Sequence, residues 1–292
     1  MVLALLILTL AAQPETTPTS EAALPPIVAA AVKHVGDFAE RAQTLLADEH
    51  NVQEVKRRPS TTSTASAYSL AGMTVEKRTL DSEVALINML NGELWLVARD
   101  IVRIDGKPVP ASQRVPLPAP RPGSTVEATA EFKRIAAQGA RFNIGPVQRD
   151  LNTPTLALWL LTPQVVSRFR FSTGGQEKVG DRMARVVAFK ERAAPYLFGV
   201  EQVPTPVSGR FWIEPSTGVV LKSELLLVPN PARRLRSRAV LTVTFGLDPA
   251  VGVWVPREMT ERYDGNSSTA FVTSISTYSN YRQFGVTARL VQ

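Results

Sequence analysis

The stretch from Gly209 to Leu225 is two alternating runs joined by Glu214-Pro-Ser-Thr-Gly218. Alternation of period two fits a strand with one covered face, and so short a turn sends the second run back antiparallel to the first. The same punctuation recurs along the chain. Asn91-Gly92, the preferred pair for a type I′ turn, separates the apolar runs Val84–Leu90 and Leu94–Ala98, and Asp105-Gly106 follows Ile101–Ile104. Val165–Ser172 places Phe169 and Phe171 on one face and Arg168 and Arg170 on the other; Arg185–Lys190, Ala239–Phe245, Val253–Tyr263 and Thr269–Tyr278 continue the series. A first strand is expected near 50–57, with Val52 and Val55 bracketing polar positions. Ten to twelve strands joined by short turns imply one large antiparallel sheet.

A sheet of that size must close, fold into a sandwich or curl around something. Three segments are available to fill a curl. Pro25–Leu46 has apolar residues at Val28, Val32, Val35, Phe38, Ala42, Leu45 and Leu46, the spacing of a one-sided helix. Ser124–Gln138 has Ser124 as N-cap and Glu127 three residues on. Thr153–Leu161 opens with a cap and a proline and is then apolar on all sides, as a short buried helix would be. The expected fold is therefore mainly β (α+β): a curved, half-barrel-like antiparallel sheet whose concave side is covered by an N-terminal helix and short helices, with part of its apolar lining left unfilled. Residues 21–292 read as one domain. Loop inserts are expected near 58–72, which is rich in Ser, Thr and Ala, and at 108–122, where six prolines preclude a central strand.

Residues 1–20 read as a signal peptide and polar tail. Met1–Ala12 is an apolar run too short to anchor a helix in a bilayer, and Pro14–Ser20 is polar. The expected location is the periplasm or the exterior of a bacterial cell. With no cysteine, the 292-residue chain has no disulfide, thiol nucleophile or thiolate metal site, and it is large enough to build a core without staples.

Motifs for chemistry are sparse. The two histidines, His34 and His50, stand 16 positions apart and form no metal-binding pair, and no nucleophile elbow is present. Gly174-Gly175 reads as a turn, since no helix or lysine follows in register to cradle a phosphate. Glu214, Glu224, Glu258 and Glu261 lie on late strands and could pair for glycoside hydrolysis, although spacing alone does not pair them. No catalytic residue, metal site or cofactor is assigned. The net charge of +7 is concentrated in part at Arg233, Arg234, Arg236 and Arg238. No stacking aromatics or reading helix accompany this patch, so nucleic acid is not expected; an anionic membrane surface or an acidic protein fits it better. The remaining inventory is aromatic. Trp95, Trp159, Phe169, Phe171, Phe189, Phe211, Phe245 and Phe271 are either core or the lining of a cavity for an apolar ligand.

Three late segments, Gly209–Glu224, Val253–Met259 and Ile275–Phe284, follow the order seen in periplasmic proteins similar to the LolA/LolB lipoprotein carriers and the RseB-type sensor domain. The shared pattern is a strand ending in Asp/Glu-Pro-x-Thr-Gly, a proline-bearing later strand and a Tyr-x-x-Tyr/Phe-Arg segment near the end. This resemblance implies an open half-barrel able to take acyl chains, and hence a non-enzymatic binding protein for a lipid, an acyl chain or a lipoprotein. An envelope sensor or interaction module that uses the arginine patch is the alternative, and a carboxylate hydrolase is a third.

Overall fold

The structure is a computed structural model. It describes residues 23–42, 45–57, 73–89, 94–117, 134–146, 149, 152–200, 203–228, 238–264 and 270–283. The leader at 1–20, the loop at 58–72, the Asn91-Gly92 turn, the first part of the helix expected at 124–138, and Arg233, Arg234 and Arg236 lie outside the described residues.

Eleven strands form one antiparallel sheet. In chain order they are β1 (Leu45–Arg57), β2 (Thr74–Met89), β3 (Leu94–Ile104), β4 (Lys107–Pro108), β5 (Phe169–Val179), β6 (Arg182–Glu191), β9 (Val207–Ile213), β10 (Val220–Leu227), β11 (Arg238–Asp248), β12 (Val253–Asp264) and β13 (Ala270–Gln283). A separate two-stranded hairpin, β7 (Phe198–Val200) with β8 (Val203–Thr205), sits between β6 and β9 in the chain. The order across the sheet is β4-β3-β2-β1-β13-β12-β11-β10-β9-β6-β5, so the edges β4 and β5 do not meet and the sheet is open. The first strand and the last pair inside the sheet, as its fourth and fifth strands, from Leu45 opposite Gln283 to Arg57 opposite Ala270.

The helices are α1 (Pro26–Ala42), a helix α2 described over residues 134–139, and the single turn α3 (Leu156–Trp159). Helix α3 shows that the sheet curls. It contacts both β3 and β10, which have five strands between them. Laid flat, six strand spacings would separate them by about 29 Å, whereas a four-residue helix is about 6 Å long. Only a strongly bent sheet brings both strands to so short an element, so α3 lies on the concave side. Helix α1 covers the same side, burying Val28, Ala31, Val35, Phe38 and Ala42 at the three-four spacing of an amphipathic helix.

Several local expectations shift. Helix α1 ends at Ala42, and β1 begins at Leu45 rather than near 50, because Leu45 and Ala47 already continue its inward-facing parity. Val52 falls on the outward parity and is 38% exposed. Strand β5 starts at Phe169, after a 3-10 turn at Val166–Arg168. Gly174-Gly175 is not a turn: it lies within β5, where the register with β6 slips between Thr173 and Gln176, as a glycine-tolerant bulge allows. Pro256 stands in a central strand at a register slip between β11 and β12, where the missing N–H is tolerated.

Two glycines of the Gly209–Leu225 hairpin permit close approach. Gly218 closes the turn at φ +74°, and a Cβ there would lie 2.5 Å from the Ala30 carbonyl oxygen, so the turn packs on α1. A Cβ on Gly209 would lie 1.9 Å from the Glu224 carbonyl oxygen and 2.6 Å from the Phe189 ring. The Phe189 ring occupies the space a side chain would take and stacks on Phe211 at 4.7 Å. Gly209→Ala is therefore expected to destabilise the protein by about 1–3 kcal/mol, the cost of overpacking, as read from the urea midpoint; an unchanged midpoint would show that the Glu224 backbone and the Phe189 ring both shift without cost.

Candidate functional site

The concave face is divided. On the arm formed by β5, β6, β9 and β10 its lining is aromatic and aliphatic. Phe169 meets Phe189 edge-on at 5.6 Å, and Trp159 of α3 meets Phe198 edge-on at 6.2 Å. Leu225 and Leu227 complete this basin, all within one continuous core. The α3 segment closes it, with Leu156 to Leu161 buried throughout.

Of the eight aromatic residues singled out in the sequence, Trp95, Trp159, Phe169, Phe189, Phe211 and Phe245 belong to this core, and Phe171 packs against it half-buried. Trp95 lies apart from the basin, against Phe38 of α1 at 5.7 Å. Phe271 has the opposite parity from the inward residues Val272 and Ser274 and lies beneath the Arg262 guanidinium at 5.9 Å, on the outer face. The expected unfilled apolar lining is not present among these residues. The chain's own side chains occupy it, with exposures of 0–8% for the six core aromatics, because the hairpin pattern marks the apolar face but leaves open what packs on it.

Across the middle of β3, β2, β1, β13 and β12 the same concave face is polar. Strand β1 presents Leu45, Ala47, Glu49, Asn51, Gln53 and Val55 inward, and its neighbours align with it: Tyr278 opposite Glu49, Ser276 opposite Asn51, Ser274 opposite Gln53, and Ser82 opposite Glu49. Arg99 holds Glu49 with two bonds of 2.6 and 2.9 Å, and the Tyr278 hydroxyl donates to the same carboxylate at 2.8 Å. Both members of the Arg99–Glu49 pair are buried. The Asn51 amide donates to Ser274 and Ser276 at 2.6 and 2.7 Å. On β12, Glu261 accepts from Arg149 at 3.3 Å and from the Tyr263 hydroxyl at 2.8 Å.

Residues between β4 and α3 cover this belt, and polar bonds attach them to it. The Gln53 side chain donates to the Asn143 side-chain oxygen at 2.8 Å and accepts from the Ile144 N–H at 3.0 Å, while Arg99 donates to the Asn152 carbonyl oxygen at 2.6 Å. Arg149 is 1% exposed. A polar cavity of ≈ 10 Å³ lies at this seam, lined by Glu49, Asn51, Ser82, Arg99, Asn143 and Glu261 among others.

Burial acts to raise the Glu49 carboxyl, but the charge and hydrogen bonds of Arg99, with Tyr278 and Ser276 also donating, hold it below the usual range. Burial and the Glu49 charge push the Tyr278 hydroxyl up. The other carboxylates considered for hydrolysis lie elsewhere: Glu214 is gripped by Arg182 at 2.6 Å, Glu224 is paired with Arg210 on the outer face, and Glu258 is exposed. The hydrogen bond from Arg182 holds Glu214 below the usual carboxylate range against the opposing effect of burial. His34 is half-buried on α1, where burial lowers its pKa, and His50 pairs with Asp81 at 2.7 Å. Arg238 opens β11, exposed and opposite Asp264. Among the described residues no group of three or more His, Cys, Asp or Glu is placed to hold a metal, and no helix is long and apolar enough to cross a membrane.

Apart from Glu261, no residue of this polar belt stands out in the sequence as a candidate for function. Its signal was present in β1, where Glu49, Asn51 and Gln53 hold the inward parity between Ala47 and Val55, but period two does not say which parity is inward when both carry polar residues.

No protein-family profile matches the sequence, and no curated protein matches it. Among solved structures the chain is similar to a DUF1329 family protein from Desulfovibrio piger, at 12% identity and a TM-score of 0.38 over 88% of this chain and 92% of that one. It is also similar to a domain assigned to outer membrane lipoprotein sorting from Vibrio parahaemolyticus, at 11% identity and a TM-score of 0.30 over 87% and 93% of the two chains. Likeness this loose carries no argument about activity.

Removing Arg99 alone strands a buried carboxylate. Arg99→Met is expected to cost about 3–5 kcal/mol, and the double change Glu49→Gln with Arg99→Met to recover much of that loss; equal losses in single and double variants would refute the coupling. Because the folded Glu49 pKa lies below its ordinary 4.5, its stabilising contribution is present above that value and fades as pH falls through the lower folded one. Glu49→Gln should therefore flatten the acid limb of the stability curve.

Proposed function

We propose that the protein is a non-enzymatic binding protein of the bacterial envelope for a lipid, an acyl chain or a similar hydrophobic ligand. The observation that carries this reading is how the aromatic basin is closed. Among the described residues no strand seals it; a short segment built on one helical turn does, resting on both β3 and β10 of an open sheet. Since the chain fills its own basin, loading means that the ligand takes the place of Leu156–Leu161.

Magnitudes make such an exchange feasible. Burying the large side chains of that segment contributes about 1.5–3 kcal/mol each, of order 10 kcal/mol together. A sixteen-carbon chain contributes about 0.8 kcal/mol per methylene, of order 12 kcal/mol. Two nearly balanced terms give reversible loading and release, which suits a carrier better than a permanent lipid cofactor. The leader-like residues 1–13 support an exported location.

The test is titration of delipidated protein with fluorescent fatty-acid probes of increasing chain length. Binding should be saturable, one probe per chain, quench Trp159, and tighten about threefold to fourfold per added methylene. Absence of uptake at tens of micromolar protein, or affinity independent of chain length, would overturn the proposal.

A further inference from the structure

The polar seam has more hydrogen-bonding capacity than its side chains use. Asn51 Oδ1, Ser82 Oγ and Asn143 Nδ2 are buried and unpartnered, and all three residues line the cavity of ≈ 10 Å³. Asn51 and Ser82 are 7% and 4% exposed. Leaving such groups unmet forfeits the hydrogen bonds they made to water in the unfolded chain. They come from three different elements, β1, β2 and the covering segment, so no single side-chain rotation pairs them all.

Together the three atoms ask for a partner that both donates and accepts. Asn51 Oδ1 only accepts, Asn143 Nδ2 only donates, and the Ser82 hydroxyl does either. Size narrows the choice further, because the cavity volume is about what one water-sized oxygen requires; a phosphate with four oxygens is excluded. Charge points the same way. Glu49 and Glu261 are held by Arg99 and Arg149, so these two pairs of described residues are neutral in sum. An added anion would meet the Glu49 and Glu261 carboxylates, and an added cation the Arg99 guanidinium, in a poorly screened interior.

We propose that this cavity is a binding site for a single uncharged hydroxyl-type oxygen, held by Asn51, Ser82 and Asn143. Two sources supply that chemistry: a resident water, or the alcohol group of a neutral amphiphile whose tail enters the aromatic basin. Only the second source rests on the carrier reading. Its structural basis is that the described residues between 139 and 166 cover both places, Asn143 and Asn152 over the seam and Trp159 to Leu161 over the basin.

The experiment is water-to-amide cross-relaxation on isotope-labelled, delipidated protein, read at the side-chain amides of Asn51 and Asn143. Long-lived water contacts are expected at both, and Ser82→Thr, whose added methyl occupies the cavity, should abolish them while leaving the remaining amide spectrum in place. Ser82→Ala, which removes one partner without filling space, should shorten the water's residence at both amides and serves if the threonine variant does not fold; unchanged residence would overturn Ser82's part in the site. Absence of long-lived water in the unaltered protein overturns the site. A monoacylglycerol, a fatty acid and a monoalkyl phosphate of equal tail length then separate the sources. Loss of the water contacts with the monoacylglycerol alone identifies the alcohol. Persistence with all three, while their tails bind, identifies water as the occupant. Loss with the anionic lipids alone overturns the neutral character of the site. Failure of all three lipids to bind rejects the carrier reading and leaves the water site standing.

Discussion

The pairing of β1 with β13 converts two separate meanders into one sheet. The early strands β1 to β4 form a ladder of neighbours, as do the strands from β9 to β13, and each alone would have exposed an unpaired edge at the place where they now join. The junction runs from Leu45 opposite Gln283 to Arg57 opposite Ala270 and ties residues more than two hundred positions apart in the chain. Closing so long a loop costs only slowly growing entropy, whereas the backbone bonds and inward side chains gained along the junction accumulate residue by residue. It also places β1 in the middle of the concave face, so the composition of β1 decides what that face can hold.

That composition produces the division of the concave side. Polar side chains at the centre of β1 cannot be buried without partners, and the partners are recruited from everything nearby: Arg99 from β3, Tyr278 and the serines from β13, and Asn143, Ile144 and Asn152 from the covering segment. On the other arm the contacts are dispersive and aromatic, and they are indifferent to whether the apolar matter on them is leucine or hydrocarbon. The two kinds of contact have different consequences for motion. Directional bonds to Gln53 and Arg99 fix the covering segment at its polar end, while its apolar end rests on a surface that accepts substitutes. The proposed carrier would, on that asymmetry, open at α3 while staying latched at the belt.

The turn chemistry of the hairpins was legible in the residues themselves. Asp105 and Gly106 take the positive φ that the turn requires and their identities permit, and Gly218 closes the Glu214–Gly218 turn. The one-sided spacing of α1 announced its buried face. Gly174-Gly175 was misread because two glycines fit a bulge as well as a turn. Strand β1 began earlier than the pattern suggested, since Leu45 and Leu46 satisfy a helical stripe and a strand parity equally.

Sequence by itself determined the element types, the antiparallel connections, the lack of thiol chemistry and the aromatic character of the late strands, because these depend on local backbone preference and on period. It also identified Thr153–Leu161 as buried. Only the tertiary structure decided which parity of β1 faces inward, that Glu261 serves Arg149, that Phe271 lies outside, and that the basin is filled by the chain's own segment. Each of these depends on what approaches a strand from far away in the chain, and a pattern of period two is the same whichever face is covered.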